Sequence, residues 1–206
     1  MDGYRIDDLT AEEVEAEREL YGPFTQAIRE LVDVGIRTTV AADEVRRAQA
    51  EIEAITGRLR AQQIEGTYGV RFRPDGRGRA WGNAVVGLRN ASAPPLTVVK
   101  EGRGVRSDFH LGAAYEGPPG HVHGGIAALI LDHALGGAAS APDKPRLTGT
   151  ITMRYRRMTA LGDLHVEAAV VRTEGVKTFA EGRLCDAEGV TVEAEGVFIR
   201  PRWARD

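Results

Sequence analysis

Residues 115–132 read YEGPPGHVHGGIAALILD, and this stretch decides the fold. A turn rich in proline and glycine leads into two glycines, Gly124 and Gly125, and then into an apolar segment. Two glycines at a helix start leave free backbone N–H groups at the positive end of the helix dipole. Asp132 then places a carboxylate in apolar surroundings, which costs stability unless the group has a partner or a function. Both features are typical of chemistry at a carbonyl group.

The apolar side chains of about 124–137 go nearly all the way round a helix, which predicts that this helix is buried. Alternating apolar residues and Glu-Gly turns predict four strands after it, and shorter runs predict strands before it. The predicted strands are 67–72, 82–88, 96–99, 105–111, 147–155, 164–171, 176–184 and 190–199. Long strands joined by tight turns form an antiparallel sheet with one buried face. We therefore expect an α+β fold in which the sheet wraps around the single buried helix.

Residues 1–65 differ from the rest and are predicted to be a helical extension, with a second domain at 66–206. A capping box at Thr10 starts the first helix, Gly22-Pro23 is expected to end it, and a second follows at 24–34. A third helix is predicted at 41–63. Its apolar stripe is thin, which indicates packing across a surface or a subunit boundary. A lid or an interface arm is the functional alternative to a plain extension.

The composition narrows the class of protein. The chain has 206 residues, a net charge of −3 and a single cysteine, Cys185. The charge gives no basic footprint for nucleic acid, and one cysteine cannot build a disulfide framework. The N-terminus has no apolar signal segment, and no run is long enough to span a membrane. We expect a reduced, soluble, cytoplasmic protein with no nucleic-acid partner.

The central stretch resembles the PaaI-like branch of the hotdog-fold thioesterases. That family has His-Gly-Gly at the start of the central helix and an acidic residue nine positions after the histidine, here His123-Gly124-Gly125 and Asp132. The resemblance covers about 80–200 by element order, with close motif identity at about 115–136. It implies the hotdog fold and an acyl-CoA thioesterase that needs no cofactor.

The resemblance also implies a role for each motif residue. Asp132 would be the general base or nucleophile, and the backbone N–H of Gly124 or Gly125 would form the oxyanion hole. His123 would shape the turn or hold the acyl carbonyl, and Thr148 is at the position of an assisting hydroxyl. Many relatives carry an asparagine six residues before the histidine, where this chain has Gly117. Whatever that asparagine does must be done here by another group or by water.

The spacing between Gly124 and Asp132 predicts an active site that two subunits share. Gly124 and Asp132 are eight residues apart, which is about 12 Å of helix rise. Both groups cannot readily contact one carbonyl, because productive contacts are about 3 Å. An antiparallel second copy of the helix would bring the two together, so we expect a homodimer or a dimer of dimers with composite sites.

Several assignments stay open. Thr148 has the strand parity of Thr150 and Thr152, which predicts that it points away from the helix unless regular pleating begins after it. Three arginines form a cluster at the end of a predicted strand; they are Arg154, Arg156 and Arg157. This arginine cluster could bind the phosphates of coenzyme A or could be a solvated strand edge. The three histidines nearest the motif do not form a recognisable metal set, so no metal is predicted; they are His121, His123 and His133.

Two other functions compete with the thioesterase. A hotdog protein could bind acyl-CoA without turning it over, although Asp132 argues against this alternative. A hotdog hydratase needs an Asp and a His a few residues apart near the helix start, and the sequence lacks that spacing around Asp132.

Overall fold

The computed structural model describes residues 4–73, 78–141 and 144–205. Helix α1 spans Ala11–Arg37 and helix α2 spans Ala42–Arg60. The capping box is present as predicted, since the Thr10 hydroxyl accepts from the Glu13 N–H at 3.2 Å and the Glu13 carboxylate accepts from the Thr10 N–H at 2.7 Å.

The predicted break at Gly22-Pro23 is wrong, because α1 runs through Pro23 without ending. Proline in a helix interior costs about 3 kcal/mol or more. Packing on both sides of it offsets that cost: Val14 and Thr25 are buried. Arg29, further along, donates to the Ala93 carbonyl at 3.2 Å. Tertiary contacts therefore keep the two predicted helices as one.

A small sheet in the order β1-β2-β3 ties the N-terminus to the following segment. Its strands are β1 (Tyr4–Ile6), β2 (Val70–Phe72) and β3 (Gly78–Arg79). Strand β1 pairs parallel with β2. Next to it, the buried guanidinium of Arg79 forms ion pairs with Asp7 and Glu17. These contacts cross the proposed domain boundary at residue 65, which stays a prediction.

The strand predicted at 82–88 is wrong, since this segment is a series of turns. The Asn83 side-chain oxygen accepts from the backbone of Val85 at 2.8 Å, and the Asn90 amide donates to the Asn83 carbonyl at 3.2 Å. Asparagine side chains that satisfy nearby backbone groups compete with strand pairing. Local side-chain bonds thus replace the ladder that alternation predicts.

The main sheet has six antiparallel strands in the order β4-β5-β7-β8-β9-β6. The strands are β4 (Val99–Glu101), β5 (Gly104–Leu111), β6 (Leu147–Tyr155), β7 (Gly162–Glu174), β8 (Lys177–Asp186) and β9 (Gly189–Ile199). Between β5 and β6 lies helix α3, Gly124–Ala139. It contacts β5 to β9. The α+β hotdog arrangement and its N-terminal helical segment are confirmed.

The core lies between α3 and the inner face of this sheet. Ile130, Leu131 and Leu135 of α3 have no exposed surface. They belong to one apolar cluster with the inward side chains of the strands, among them Leu184 and Phe198. Burying large apolar side chains is the dominant favourable term in folding. The helix is therefore fixed along its length, which positions the residues at its N-terminus and the side chain of Asp132.

Candidate active site

The turn before α3 folds back on itself and delivers His123 to the helix start. The Gly117 N–H donates to the His121 carbonyl at 2.9 Å, and the His123 N–H donates to the Tyr115 carbonyl at 2.9 Å. A Cβ at Gly117 would lie 2.7 Å from the His123 Cα, closer than real side chains approach. Glycine at 117 therefore leaves the space in which His123 sits.

His123 is the N-cap of α3. Its Nδ1 accepts a hydrogen bond from the Gly125 N–H at 3.0 Å. A ring nitrogen that accepts carries no hydrogen, so the neutral ring holds its hydrogen on Nε2. The side chain is exposed and presents this Nε2–H to solvent as a donor. His123 thus shapes the helix start, one of the two roles that the resemblance implies.

The cap distinguishes between the two candidate oxyanion donors, the backbone N–H groups of Gly124 and Gly125. The Gly125 N–H is already used by His123. Among the described residues, no hydrogen bond takes the Gly124 N–H. A free N–H at the first position of a helix is the group that an oxyanion would accept from. Gly124 is therefore the better placed of the two donors.

Tyr155 holds the other side of the same peptide unit. Its hydroxyl donates to the Gly124 carbonyl at 2.9 Å. Since this carbonyl and the Gly125 N–H belong to one peptide group, His123 and Tyr155 clamp that group from both ends. A Gly-Gly helix start has the most backbone freedom of any sequence, so the clamp fixes what the glycines alone would leave loose. Tyr155 shares its face of β6 with Ile151 and Met153, which pack against the core, and the sequence alone assigns it no role.

Thr148 contacts Asp132 directly. Its Oγ1 donates to the Asp132 Oδ1 at 2.8 Å. The parity that predicted an outward Thr148 fails because the register between β6 and β9 shifts between Thr148 and Thr150. The extra residue is Gly149, where a Cβ would meet the Ile199 side chain at 2.8 Å. A bulge of this kind moves the preceding side chain to the other face of the strand.

A cavity of about 380 Å³ opens at the N-terminus of α3. Its wall includes Gly124, Tyr155, Arg157 and Met158. The cavity lies beside the free Gly124 N–H, so a group that enters it reaches the helix N-terminus.

The arginine cluster divides between two places. Arg154 forms an ion pair with Glu195 at 2.8 Å, and Arg156 forms one with Glu193 at 2.6 Å. Both side chains follow the strand parity opposite to Tyr155, which places them on the sheet face away from α3. Arg157 instead lines the cavity and donates to Asp186 at 2.7 Å. Only Arg157 lies beside the candidate site, and phosphate binding by the cluster stays a prediction.

The remaining histidines near the motif have other contacts. Burial lowers the pKa of His133, and the nearby charge of Asp132 partly opposes that shift. The His121 ring bonds to the Pro119 carbonyl at 2.7 Å. Within the described ranges, no group of three or more His, Cys, Asp or Glu side chains could hold a metal ion.

Residues 119–193 match the family model of the thioesterase superfamily. The crystal structure of protein RHA08564, a thioesterase superfamily protein, is 34% identical, with 87% of this chain and 90% of that chain covered and a TM-score of 0.76. The zebra fish thioesterase superfamily member 2 is 19% identical, covers 60% of this chain and 92% of that one at a TM-score of 0.51, and shows the fold alone. No curated protein sequence matches.

The described helices include none with the length and apolar character needed to cross a membrane. The relative at 34% identity covers 87% of this chain, which is more than the residues 119–193 that the family model matches. The chain belongs to the thioesterase superfamily.

Proposed function

We propose that this protein is an acyl-CoA thioesterase of the PaaI-like branch. Superfamily membership supports a thioester as substrate, and the hydrogen bond from Thr148 to Asp132 supports Asp132 as the reacting carboxylate. This bond carries the proposal, because it holds a carboxylate by one oxygen and leaves the other oxygen to act on water or on the thioester.

The reaction is the hydrolysis of a thioester to a free acid and coenzyme A. As a general base, Asp132 takes a proton from water while the water oxygen attacks the carbonyl carbon. The carbonyl oxygen becomes an oxyanion that accepts from the Gly124 N–H. The C–S bond then breaks, and the thiolate leaves with a proton. As a nucleophile, Asp132 would attack the same carbon and form an anhydride that water hydrolyses.

His123 is the second donor to the acyl carbonyl in this proposal. Because its Nδ1 accepts from Gly125, its Nε2–H faces outward and can reach an oxygen next to the helix start. The side-chain amide found at position 117 in many relatives is absent here, and the Nε2–H supplies one donor in its place.

The site is completed by a second subunit. Within one chain Gly124 and Asp132 are about 12 Å apart along the helix axis, too far for one carbonyl to contact both. An antiparallel pair of α3 helices in a homodimer would place one chain's Asp132 near the other chain's Gly124. Of the arginine cluster, Arg157 at the cavity wall would meet a phosphate of coenzyme A, whereas Arg154 and Arg156 lie on the other face of the sheet and pair with Glu195 and Glu193.

A panel of short, medium, long and aromatic acyl-CoA thioesters, assayed for free thiol, tests the proposal. We expect turnover on at least one class and a loss of about 10²–10⁴-fold in kcat for Asp132→Asn. Hydrolysis that survives this substitution removes Asp132 from the mechanism. Binding without turnover across the panel would favour the acyl-CoA-binding alternative. A fully active monomer would contradict the shared site.

A further inference from the structure

Helix α2 has no buried residue, although it carries several large apolar side chains. Their exposed fractions range from 40% to 53%; they are Val45, Ile52, Ile55 and Leu59. In proteins, most helical stability comes from the packing of an apolar face rather than from helix propensity. The apolar face of α2 therefore needs a partner outside the chain that carries it.

The apolar positions follow a coiled-coil pattern. Residues 45, 48, 52, 55 and 59 are Val, Ala, Ile, Ile and Leu, with spacings that alternate between three and four. This is the a/d seam of a heptad repeat, a narrow stripe that pairs with one other helix. The positions on the far side are polar or small; they are Arg46, Arg47, Ala50, Glu53, Ala54, Gly57 and Arg60.

Two charges beside the seam identify the partner. Glu51 and Arg58 occupy the same heptad position, g, one repeat apart, and neither forms an ion pair with any described residue. Arg46 and Arg47 on the far side, by contrast, already pair with acidic residues of their own helix. The seam is thus flanked by one negative and one positive charge that no described residue of the same chain neutralises.

In an antiparallel pair of helices, g positions face g positions across the seam. A second α2 with its Ile55 against Ile52 would bring Glu51 of each copy close to Arg58 of the other, twice by symmetry. In a parallel pair, g positions face e positions, which here are the uncharged Gln49 and Thr56. Charge complementarity therefore selects a second copy of this chain in the antiparallel orientation.

We propose that α2 is a self-association surface, on which α2 of a second copy packs as an antiparallel two-helix coiled coil. This contact is separate from the α3 pairing that would complete the active site, and it does not depend on the proposed activity. It gives the N-terminal helical segment a role in assembly.

The test measures the distance between the two α2 helices directly. A spin label is attached to full-length Ala50→Cys protein in a Cys185→Ala background, because position 50 faces away from the seam. We expect one discrete inter-subunit distance by pulsed electron resonance. Glu51→Arg alone and Arg58→Glu alone each place two like-charge pairs beside the seam and should weaken pairing about tenfold. At a fixed protein concentration, each variant should therefore reduce the fraction of spin labels that give the discrete inter-subunit distance.

The decisive measurement uses a mixture of the two single variants, Glu51→Arg and Arg58→Glu. In a mixed pair, the arginine introduced at position 51 of one copy meets the glutamate introduced at position 58 of the other. The native Glu51 and the native Arg58 meet at the second contact, so the distance should return on mixing. Control variants Glu53→Arg and Arg60→Glu change the same charges at outward positions and should leave the distance unchanged. The proposal is overturned if the parent protein gives no discrete distance, if the single variants keep it, or if mixing does not restore it.

Discussion

The Thr148 hydroxyl donates to the Asp132 carboxylate at 2.8 Å across the gap between β6 and α3. The bond depends on Gly149, the extra residue that turns Thr148 toward the helix. Since the bond engages Oδ1, it sets the rotation of the carboxylate and thus the direction in which the second oxygen points.

Thr148→Val should lower kcat about tenfold, with KM and the folded state little changed. Valine keeps the branched shape of threonine and removes only the donor that sets the rotation of the Asp132 carboxylate, and a tenfold loss in kcat corresponds to about 1.4 kcal/mol. Steady-state kinetics on the best substrate of the panel measure the effect. Thr152→Val on the opposite face of the same strand is the matched control. If both variants have wild-type kcat, Thr148 does not orient Asp132.

Two substitutions distinguish the helix-capping role of the His123 side chain from its proposed role as a hydrogen-bond donor to the substrate. His123→Ala removes both and should lower the free energy of unfolding by about 0.5–2 kcal/mol. His123→Asn keeps a side-chain acceptor for the helix start, so its unfolding free energy should be close to wild type. Both variants should lose activity, by up to about 10²–10³-fold, because neither presents the Nε2–H. A fully active His123→Asn would show that the imidazole does not contact the substrate.

Tyr155→Phe should leave the fold intact and lower kcat about fivefold, since one neutral hydrogen bond contributes about 1 kcal/mol. The cause is the freed Gly124 carbonyl, which loosens the peptide group that His123 holds by its N–H. Met158→Leu is the control, because Met158 lines the same cavity and has no part in the clamp. Equal kcat in the two variants would argue that the clamp is not needed for turnover.

The contacts of these residues also show how much of the fold and of the candidate site can be predicted from the sequence. Helix α3 and the strands after it follow from hydrophobic periodicity, because their packing obeys the same alternation that the sequence displays. The errors arise where a local interaction overrides a pattern. Asn83 replaces a strand by turns, packing carries α1 through Pro23, and the bulge at Gly149 reverses the direction of Thr148. Tyr155 went without a role because its partner is a backbone carbonyl, which has no signature in the sequence.

Installing the asparagine of many relatives at Gly117 should reduce activity. A Cβ at this position would approach the His123 Cα at 2.7 Å and its Cβ at 3.0 Å. Gly117→Ala and Gly117→Asn should therefore each displace His123 and cost about 1–3 kcal/mol in unfolding free energy. Gly35→Ala is the matched control, because nothing lies within 4 Å of a Cβ there. If Gly117→Asn is more active than wild type, the site accepts the amide and His123 does not supply its donor.

Asp186 should give the folded state a measurable acid sensitivity. Its hydrogen bond from Arg157 is the main reason that the pKa of Asp186 falls to about 2, and its side chain is only 5% exposed. Since the folded-state pKa is lowered, this group stabilises the protein fully above its unfolded pKa of about 4, and the stabilisation is lost as the pH falls toward 2. The contribution is on the order of 1–2 kcal/mol.

Denaturant unfolding of wild type and Asp186→Asn between pH 2 and pH 7 isolates this contribution, because other carboxylates titrate equally in both proteins. The difference in unfolding free energy should be largest above about pH 4 and shrink below it. Asp163→Asn, at a side chain that is 97% exposed, is the surface control for the loss of one carboxylate. A difference that is constant with pH would mean that Asp186 is not held by Arg157.

Because Arg157 lines the cavity, Asp186→Asn should also raise KM for an acyl-CoA if this arginine meets a phosphate.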